Sequence, residues 1–390
     1  MREGWEIHRF DEVFDLQMGK TPDRKEPKYF EGSNVWVSIR DIDGKEISDS
    51  NEHISDEAIK ISNIRKVKKG TVIMSFKLTV GKCAIATKDL YTNEAIMAFN
   101  LQKGFDITPD FLYYYLSSYK WEGANKAVMG FTLNKATISQ NKISFPPLSV
   151  QQSIVSELDM LSGLIAKHEE QLKAYDELAQ SIFFDMFGDP VENEKGWEVK
   201  KLGEVAKEKL SYGSGASAKQ YDGKVRYVRI TDIKDDGELN TDMVSPDTYD
   251  EKYLLNEGDI LFARSGATVG KTFQYKGKYG KCIYAGYLIR LVPNTELVLP
   301  SYVFGYTKSP YYRSFVAMAQ NAVAQPNINA KQYSDLLLPL PPLSLQTLFA
   351  EKIEAIERQK GLVQQSIAEV QTLFDSRMDY YFNSDTPLPL

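Results

Sequence analysis

This chain has few of the residues on which most enzymes and metalloproteins are built. Its 390 residues include two cysteines and three histidines. Cys83 and Cys282 lie far apart in apolar stretches, as reduced core residues do. His8, His53 and His168 share no metal-ligand spacing, and no cysteine pair is present to complete a zinc site. No apolar run approaches the ~18 residues of a membrane span, and no basic-then-apolar leader opens the chain. A cytoplasmic setting is expected. There is no Gly-x-Ser-x-Gly elbow, no Gly-x-Gly-x-x-Gly fingerprint, and no Asn/Asp-Pro-Pro-aromatic signature of an amino-methyltransferase. The stretch from Ser265 through Gly270-Lys271-Thr272 nearly spells a phosphate-binding loop, but it has Ser265 where glycine is needed. The matching turn earlier in the chain, Thr79-Val80-Gly81-Lys82-Cys83, lacks both that glycine and the magnesium-binding hydroxyl. A hairpin turn is the expectation at both places, and no catalytic or cofactor motif remains.

What is present is foldable sequence written twice. A hydrophobic content of 43% with 12% aromatics suits a chain with two or three cores. Ile154, Leu158, Leu161, Ile165, His168, Leu172, Tyr175, Ala179, Ile182 and Met186 follow in alternating steps of four and three. The same spacing returns 195 positions later in Phe349, Ile353, Ile356, Lys360, Val363, Ile367, Val370, Phe374, Arg377 and Tyr381. A heptad seam predicts a long helix with a partner, here a second helix of the same chain. Pro146-Pro147-Leu148-Ser149-Val150-Gln151 and Pro341-Pro342-Leu343-Ser344-Leu345-Gln346 announce both rods, with each serine placed to cap. At 1.5 Å per residue each rod spans about 55 Å.

Between the rods the two halves match segment by segment. Each opens on Gly-Trp (Gly4-Trp5, Gly196-Trp197) and passes through a polar loop (Met18 to Pro22, Tyr212 to Ser217). Strands follow at 35–42 and 225–233, then paired strands around Val80-Gly81-Lys82 and Val269-Gly270-Lys271. An aromatic-faced helix comes next, at Phe111 to Leu116 and Tyr302 to Tyr306. This reads as a mixed α/β tandem duplication: domain 1 at 1–149, rod 1 at 150–187, domain 2 at 188–344, rod 2 at 345–382 and an unstructured tail at 383–390. If the ends of each domain adjoin, the rods must run antiparallel, with the domains at opposite ends of the pair. His168, Lys360 and Arg377 in the seam either set its register or reach to solvent.

The net charge of −6 conceals a division. Residues 60–149 hold 13 basic against 5 acidic side chains, and 260–334 hold 9 against 1, a net +8 in each. The front of each half and the rods are acidic. A matched basic region on an otherwise acidic protein is the footprint of phosphate binding.

Taken together, the doubled Gly-Trp, polar loop, Gly-Thr-Val-Ile or Gly-Asp-Ile-Leu strand, Val-Gly-Lys turn and Pro-Pro-Leu-Ser-x-Gln helix start resemble the specificity subunit of type I restriction-modification systems. The resemblance covers residues 4–382. It implies two target recognition domains, each reading one half of a bipartite asymmetric DNA sequence, separated by two antiparallel coiled-coil helices that dock two methyltransferase subunits. Restriction subunits are implied as further partners. S-adenosylmethionine, ATP and magnesium would belong to those partners, leaving this chain without a cofactor or a catalytic residue. About 55 Å is roughly one and a half turns of B-DNA, which suits a spacer.

Cations that position the backbone and amides and hydroxyls that read base edges are the expected DNA contacts. The candidates are Lys20, Thr21, Lys77, Lys82, Lys126, Thr132 and Asn134 in the first half. In the second they are Ser214, Ser217, Arg264, Lys271, Arg313, Gln325 and Asn327. Coiled-coil and docking candidates are Ile154, Leu158, Leu161, Ile165 and Leu172, with Phe349, Ile353, Ile356, Val363 and Ile367. A duplicated scaffold holding two protein partners without DNA is the alternative, and the two +8 segments favour DNA over it. A fused methyltransferase or nuclease lacks any motif.

Overall fold

Each half of the chain closes by pairing its first strand with its last. Glu6–Arg9 runs antiparallel to Lys142–Phe145, and Glu198–Lys201 runs antiparallel to Leu337–Leu340. The segment after Gly-Trp therefore lies beside the segment before Pro-Pro, and the two ends of each domain adjoin. The computed structural model describes residues 4–121, 125–127, 130–321 and 327–383; the side chains of 125–127, 130–132 and 321 are outside that set, as is the tail 384–390.

Two compact units result, one of Met1–Lys167 with Ile367–Leu390 and one of His168–Ser366. In the first, the central sheet has the order Phe14–Met18, Ile96–Leu101, Val72–Ser75, Cys83–Ala86, Glu46–Ile47. In the second it runs Ser211–Tyr212, Leu288–Leu291, Ile260–Ala263, Thr272–Gln274, the same succession without the last strand. Both Gly-x-hydrophobic strands are buried on two faces, which is why they read as unbroken apolar runs rather than alternating ones. Val72 and Met74 face a cluster that includes Phe111 and Tyr115, while Ile73 faces Val35 and Val37. Ile260 and Phe262 face Tyr302 and Tyr306, while Leu261 faces Val228. Cys83 and Cys282 are buried and unpaired, and burial pushes their thiols up to about 12 and about 11.

The strands expected at 35–42 and 225–233 are shorter than the pattern suggested. Asn34–Val37 and Arg226–Val228 each give way to a 3-10 turn, Ile39–Asp41 and Ile230–Asp232. The cause is a repeated box: Asp41 accepts from the backbone N–H of Ser38 at 2.7 Å, and Asp232 from that of Arg229 at 2.8 Å. Local capping overrides the β-branched composition here.

The rods are unbroken helices, Leu148–Phe187 and Leu343–Phe382. Both begin one residue ahead of the serines expected to cap them. Pro147 and Pro342 take that place, their carbonyls accepting from Gln151 and Gln346 at 3.1 Å. Within each unit the start of one rod packs against the end of the other, antiparallel. In the first unit Ile154 and Leu158 are fully buried against Phe374, Met378 and Tyr381. In the second, Phe183 and Phe187 meet Phe349 edge-on, at 5.6 and 5.2 Å between ring centroids. Each such buried ring contributes about 2–3 kcal/mol. Phe349, Ile356 and Val363 are buried, while Leu161, Ile165, Leu172, Ile353 and Ile367 are half-buried, as a two-helix seam allows.

Two polar seam residues hold register. Arg377 grips Glu157 with both Nε and Nη2, at 2.5 and 2.9 Å, with Tyr381 donating to the same carboxylate. Lys360 reaches Asp176 at 2.7 Å. His168 makes no such cross-helix contact among the described residues. Among these residues no helix is long and apolar enough to cross a membrane.

Candidate nucleic-acid interface

In the second unit the strand Ile260–Ala263 ends at the surface on Arg264. Two neighbours fix this side chain. Its guanidinium carbon lies 4.8 Å from the centroid of the Tyr212 ring, and its Nε donates to Asn327 Oδ1 at 3.2 Å. The backbone is held equally firmly, Arg264 N–H donating to Tyr287 and the Arg264 carbonyl accepting from Ile328. Arg264 has no carboxylate partner among the described residues, whereas Arg229 is committed to Asp232 and Asp242. An oriented guanidinium without a counter-ion is suited to phosphate or to a guanine edge.

The polar loop after Ser211–Tyr212 reaches this place because Gly213 has no side chain. A Cβ there would fall 2.3 Å from the Ala285 carbonyl oxygen, and at the matching Gly19 it would fall 2.2 Å from that of Thr92. Beside the loop is an apolar recess of about 360 Å³ lined by Ala216, Tyr227, Thr231 and Gly286, with Tyr287 at its edge. Tyr287 is 62% exposed and Tyr212 42%, an uncommon outlay of aromatic surface beside a cation that has no carboxylate partner among the described residues.

The corresponding place in the first unit is built differently. Lys77 is half-buried over the Phe76 ring and has no carboxylate partner among the described residues. Next to it Leu78 takes a left-handed backbone (φ 64°) and is 54% exposed, where the second unit has Gly266 (φ 71°). Lys77–Leu78 pairs with the strand Gly130–Thr132. Lys20 is exposed, with its ammonium on the Ser62 carbonyl, and Thr21 donates to Glu94. Glu94 occupies the loop position that Gly286 holds in the second unit, and a carboxylate there is an acceptor for a cytosine or adenine amino group. Arg40 is 78% exposed nearby in sequence to Asp41.

Several expected contacts have other tasks. Lys82, which is exposed, and Lys271, which is half-buried, are the lysines of the repeated Val-Gly-Lys turn; their ammonium groups donate to the carbonyls of Ile42 and Ile233, at 3.1 and 3.3 Å, and Lys271 also pairs with Asp235. Ser214 is buried and accepts from Ala216 N–H. Asn134 caps the helix Lys135–Gln140. Arg313 donates to Gln180 and to the Lys308 carbonyl, tying Pro310–Asn321 to rod 1. Ser217 is exposed, its N–H donating to Asp247. Gln325 and the side chains of Lys126 and Thr132 lie outside the described residues. Tyr212, Tyr287, Glu94 and Arg40 were not singled out by sequence. Only Tyr212 had a cue, its place in the repeated polar loop.

Three comparisons bear on this arrangement. The chain matches the type I restriction modification DNA specificity domain twice, over residues 2–174 and 194–372. It is 26% identical over 295 residues to the type I restriction enzyme MjaIX specificity subunit of Methanocaldococcus jannaschii, covering 68% of this chain and 67% of that protein. With the MjaVIII specificity subunit of the same organism the match is 20% over 379 residues, 91% of this chain and 86% of that one. Among solved structures, the S subunit of the type I restriction-modification system from M. genitalium aligns over 98% of this chain and 97% of its own, with a TM-score of 0.55 at 15% identity. A chain from a study of complex assembly and conformational transition in a type I restriction-modification system aligns over 98% and 99%, with a TM-score of 0.58 at 19% identity. At these identities the structural matches establish the fold.

Proposed function

Because the chain belongs to the type I restriction-modification DNA specificity family, we propose that it selects the DNA sequence on which a methyltransferase acts. Each domain reads one half of a bipartite, asymmetric target, and the long helices dock the methyltransferase subunits. The family is the non-catalytic recognition component of these systems, and all transfer chemistry, with its S-adenosylmethionine, is assigned here to the partners. The observation that carries the reading is Arg264, a guanidinium held between Tyr212 and Asn327 at the end of a buried strand and without a carboxylate partner among the described residues.

The two domains share a frame and differ at the tip: Arg264 and Tyr287 in one, Lys77, Leu78 and Glu94 in the other. Different tips on one frame are what two unlike half-sites require. Phosphate contacts alone would not distinguish sequences, so the carboxylate of Glu94 and the guanidinium of Arg264 are the proposed base readers, with Lys20 and Lys77 on the backbone.

The deciding experiment compares genomic N6-methyladenine with and without this chain while its neighbouring methyltransferase is expressed. A split motif with a fixed gap should vanish on deletion. An unchanged methylome would remove the reading. Within the assembled complex, Arg264→Ala is expected to weaken binding to that motif about 10- to 100-fold, equivalent to ~1.4–2.8 kcal/mol. Unchanged affinity together with an unchanged salt slope would take Arg264 out of the interface.

A further inference from the structure

In the second unit an oriented cation and an apolar recess sit side by side. Tyr287 joins them: its carbonyl accepts from Arg264 N–H at 3.1 Å, and it forms the edge of the recess. The recess, of about 360 Å³, is lined by Ala216, Ala218, Tyr227, Ile230 and Gly286 besides Tyr287. Its polar neighbours are committed elsewhere. The Tyr227 hydroxyl donates between the carbonyls of Ser214 and Ala216, 2.8 Å from each, and Arg229 is held by Asp232 and Asp242. The Ser214 carbonyl accepts from Gly286 N–H as well, at 2.7 Å. Thr231, also on the wall, carries a methyl as well as a hydroxyl. The recess suits carbon better than a hydrogen-bonding group.

The fold does not require this lining. In the first unit the matched positions are polar: Thr21 and Glu94 stand for Gly215 and Gly286 and hydrogen-bond to each other, and the exposed Arg40 stands for Thr231. The strands beneath are the same in both, Trp36 beside Tyr91 and Tyr227 beside Ile283 in one parallel register. Among the described residues, the apolar lining at this place belongs to the second domain, on loops that differ between otherwise repeated domains.

The chemistry of the DNA edge decides what such a recess takes. In the major groove the base pairs present donors and acceptors and one apolar group, the 5-methyl of thymine, which alanine, the threonine methyl and aromatic rings contact. An extruded base would also fill the volume, but it needs partners for its pairing edge. The Tyr227 hydroxyl and the Arg229 guanidinium are already engaged and do not supply them.

We propose that this recess receives the 5-methyl edge of a thymine near the base that Arg264 contacts, and that Ala216, Ala218 and Tyr287 select thymine at that position of the half-site. The recess is larger than one methyl group, so the C5–C6 edge of the pyrimidine enters with it. The second domain then has two neighbouring readers of unlike chemistry, a guanidinium for a polar edge and a recess for a methyl. This rests on the specificity-subunit reading.

The test removes one methyl group at a time from the DNA. The full chain, assembled with its neighbouring methyltransferase, is bound to duplexes carrying the methylated motif, with each thymine replaced singly by uracil, which keeps the pairing groups and lacks the methyl. At one position uracil is expected to weaken binding about three- to tenfold, as losing one buried methyl does. The salt slope should not change, because no phosphate contact is lost. Ala218→Leu fills the recess from an exposed strand position, and Tyr287→Ser removes its edge. Each should weaken binding to the thymine duplex by a similar factor and leave no further loss on uracil substitution at that position. Uracil tolerated throughout, or a uracil penalty unchanged in both variants, overturns the methyl recess while leaving the specificity-subunit reading intact. So does tighter binding when the sensitive thymine is placed in a mismatch, the behaviour of an extruded base. A parent complex that does not distinguish the motif from unrelated DNA overturns both.

Discussion

Replacing Gln346 by leucine is expected to destabilise the second unit by about 3–5 kcal/mol, one of the two largest effects of any single substitution proposed here. The last residue of the Pro-Pro-Leu-Ser-x-Gln motif is completely buried in both halves. Among the described residues its side chain bonds three backbone atoms and satisfies all three. Gln346 Nε2 donates to the Leu297 and Pro341 carbonyls at 3.2 and 2.8 Å, and its Oε1 accepts from Leu299 N–H at 2.7 Å. Gln151 repeats the pattern on Asp106, Pro146 and Thr108, at 2.7, 2.9 and 3.0 Å. Thr108 and Leu299 are the N-cap residues of the helices that pack each domain onto the rods. One glutamine therefore fastens the start of a rod to the start of the neighbouring helix. Leucine keeps the volume and leaves one donor and two acceptors buried without partners, each worth about 1–3 kcal/mol. Trp197 is the only tryptophan of the second unit, and its indole donates to the Phe187 carbonyl at the rod end. Denaturant unfolding followed by tryptophan fluorescence should show the Trp197 contribution lost early in Gln346→Leu, with the signal of Trp5, Trp36 and Trp121 unmoved. Gln151→Leu should invert that order. A loss below about 1 kcal/mol in either would mean that relaxed backbone or water replaces the amide.

The glutamines also show where sequence reading stops. The rods were legible because a heptad pattern depends only on spacing within one segment, and the mixed α/β tandem duplication because the same words occur twice. What the repeated words do depends on contacts about 45 residues away. Gln151 and Gln346 stood in plain view in the motif, yet the serines were expected to cap the rods; the prolines cap them, and the glutamines anchor them. The Val-Gly-Lys lysines illustrate the same limit. A lysine on a hairpin turn reads as a free surface cation, but the carbonyls of Ile42 and Ile233, some 40 residues earlier, accept hydrogen bonds from Lys82 and Lys271. Arg264 was legible, since a strand that ends on arginine points it outward. Tyr287 was not, because its exposure is set by the glycine loop that folds beneath it rather than by its own neighbours. The frame of the candidate interface follows from the repeat, whereas the partners of its side chains follow from distant segments. Repetition reveals what holds a domain together more readily than what each domain binds.

Arg290→Ala is expected to cost the second unit about 3–5 kcal/mol, and the double substitution Asp259→Thr with Arg290→Ala to recover most of it. Arg290 Nε lies 2.8 Å from Asp259 Oδ2, with 9% and 1% of the two side chains exposed. Asp259 accepts in addition from Asn256 N–H at 2.7 Å. Ionising a carboxyl group at this depth is costly, and burial raises its pKa despite the arginine beside it and the Asn256 hydrogen bond. The first unit shows that the sheet does not need the pair. In the matched strand register, Ala98 opposes Ile73 where Arg290 opposes Leu261, and Thr71 stands for Asp259. Removing Arg290 alone strands a buried carboxylate, whereas removing both copies the arrangement that already folds in the first unit. The pH dependence has a defined sign. A carboxyl whose folded pKa lies above its unfolded value binds its proton more tightly when folded, so its contribution is present below the unfolded pKa and is lost as pH rises through the folded one. Without Arg290 that folded pKa moves further up, and the deficit of Arg290→Ala should shrink as the solution is made more acidic, while the double variant should show no such trend. Denaturant melts of the three proteins at pH 5 and pH 8 distinguish the outcomes. A single variant as stable as the parent, or a double variant no better than the single, would mean that Asp259 is held by its other contacts and that the ion pair is incidental to the fold.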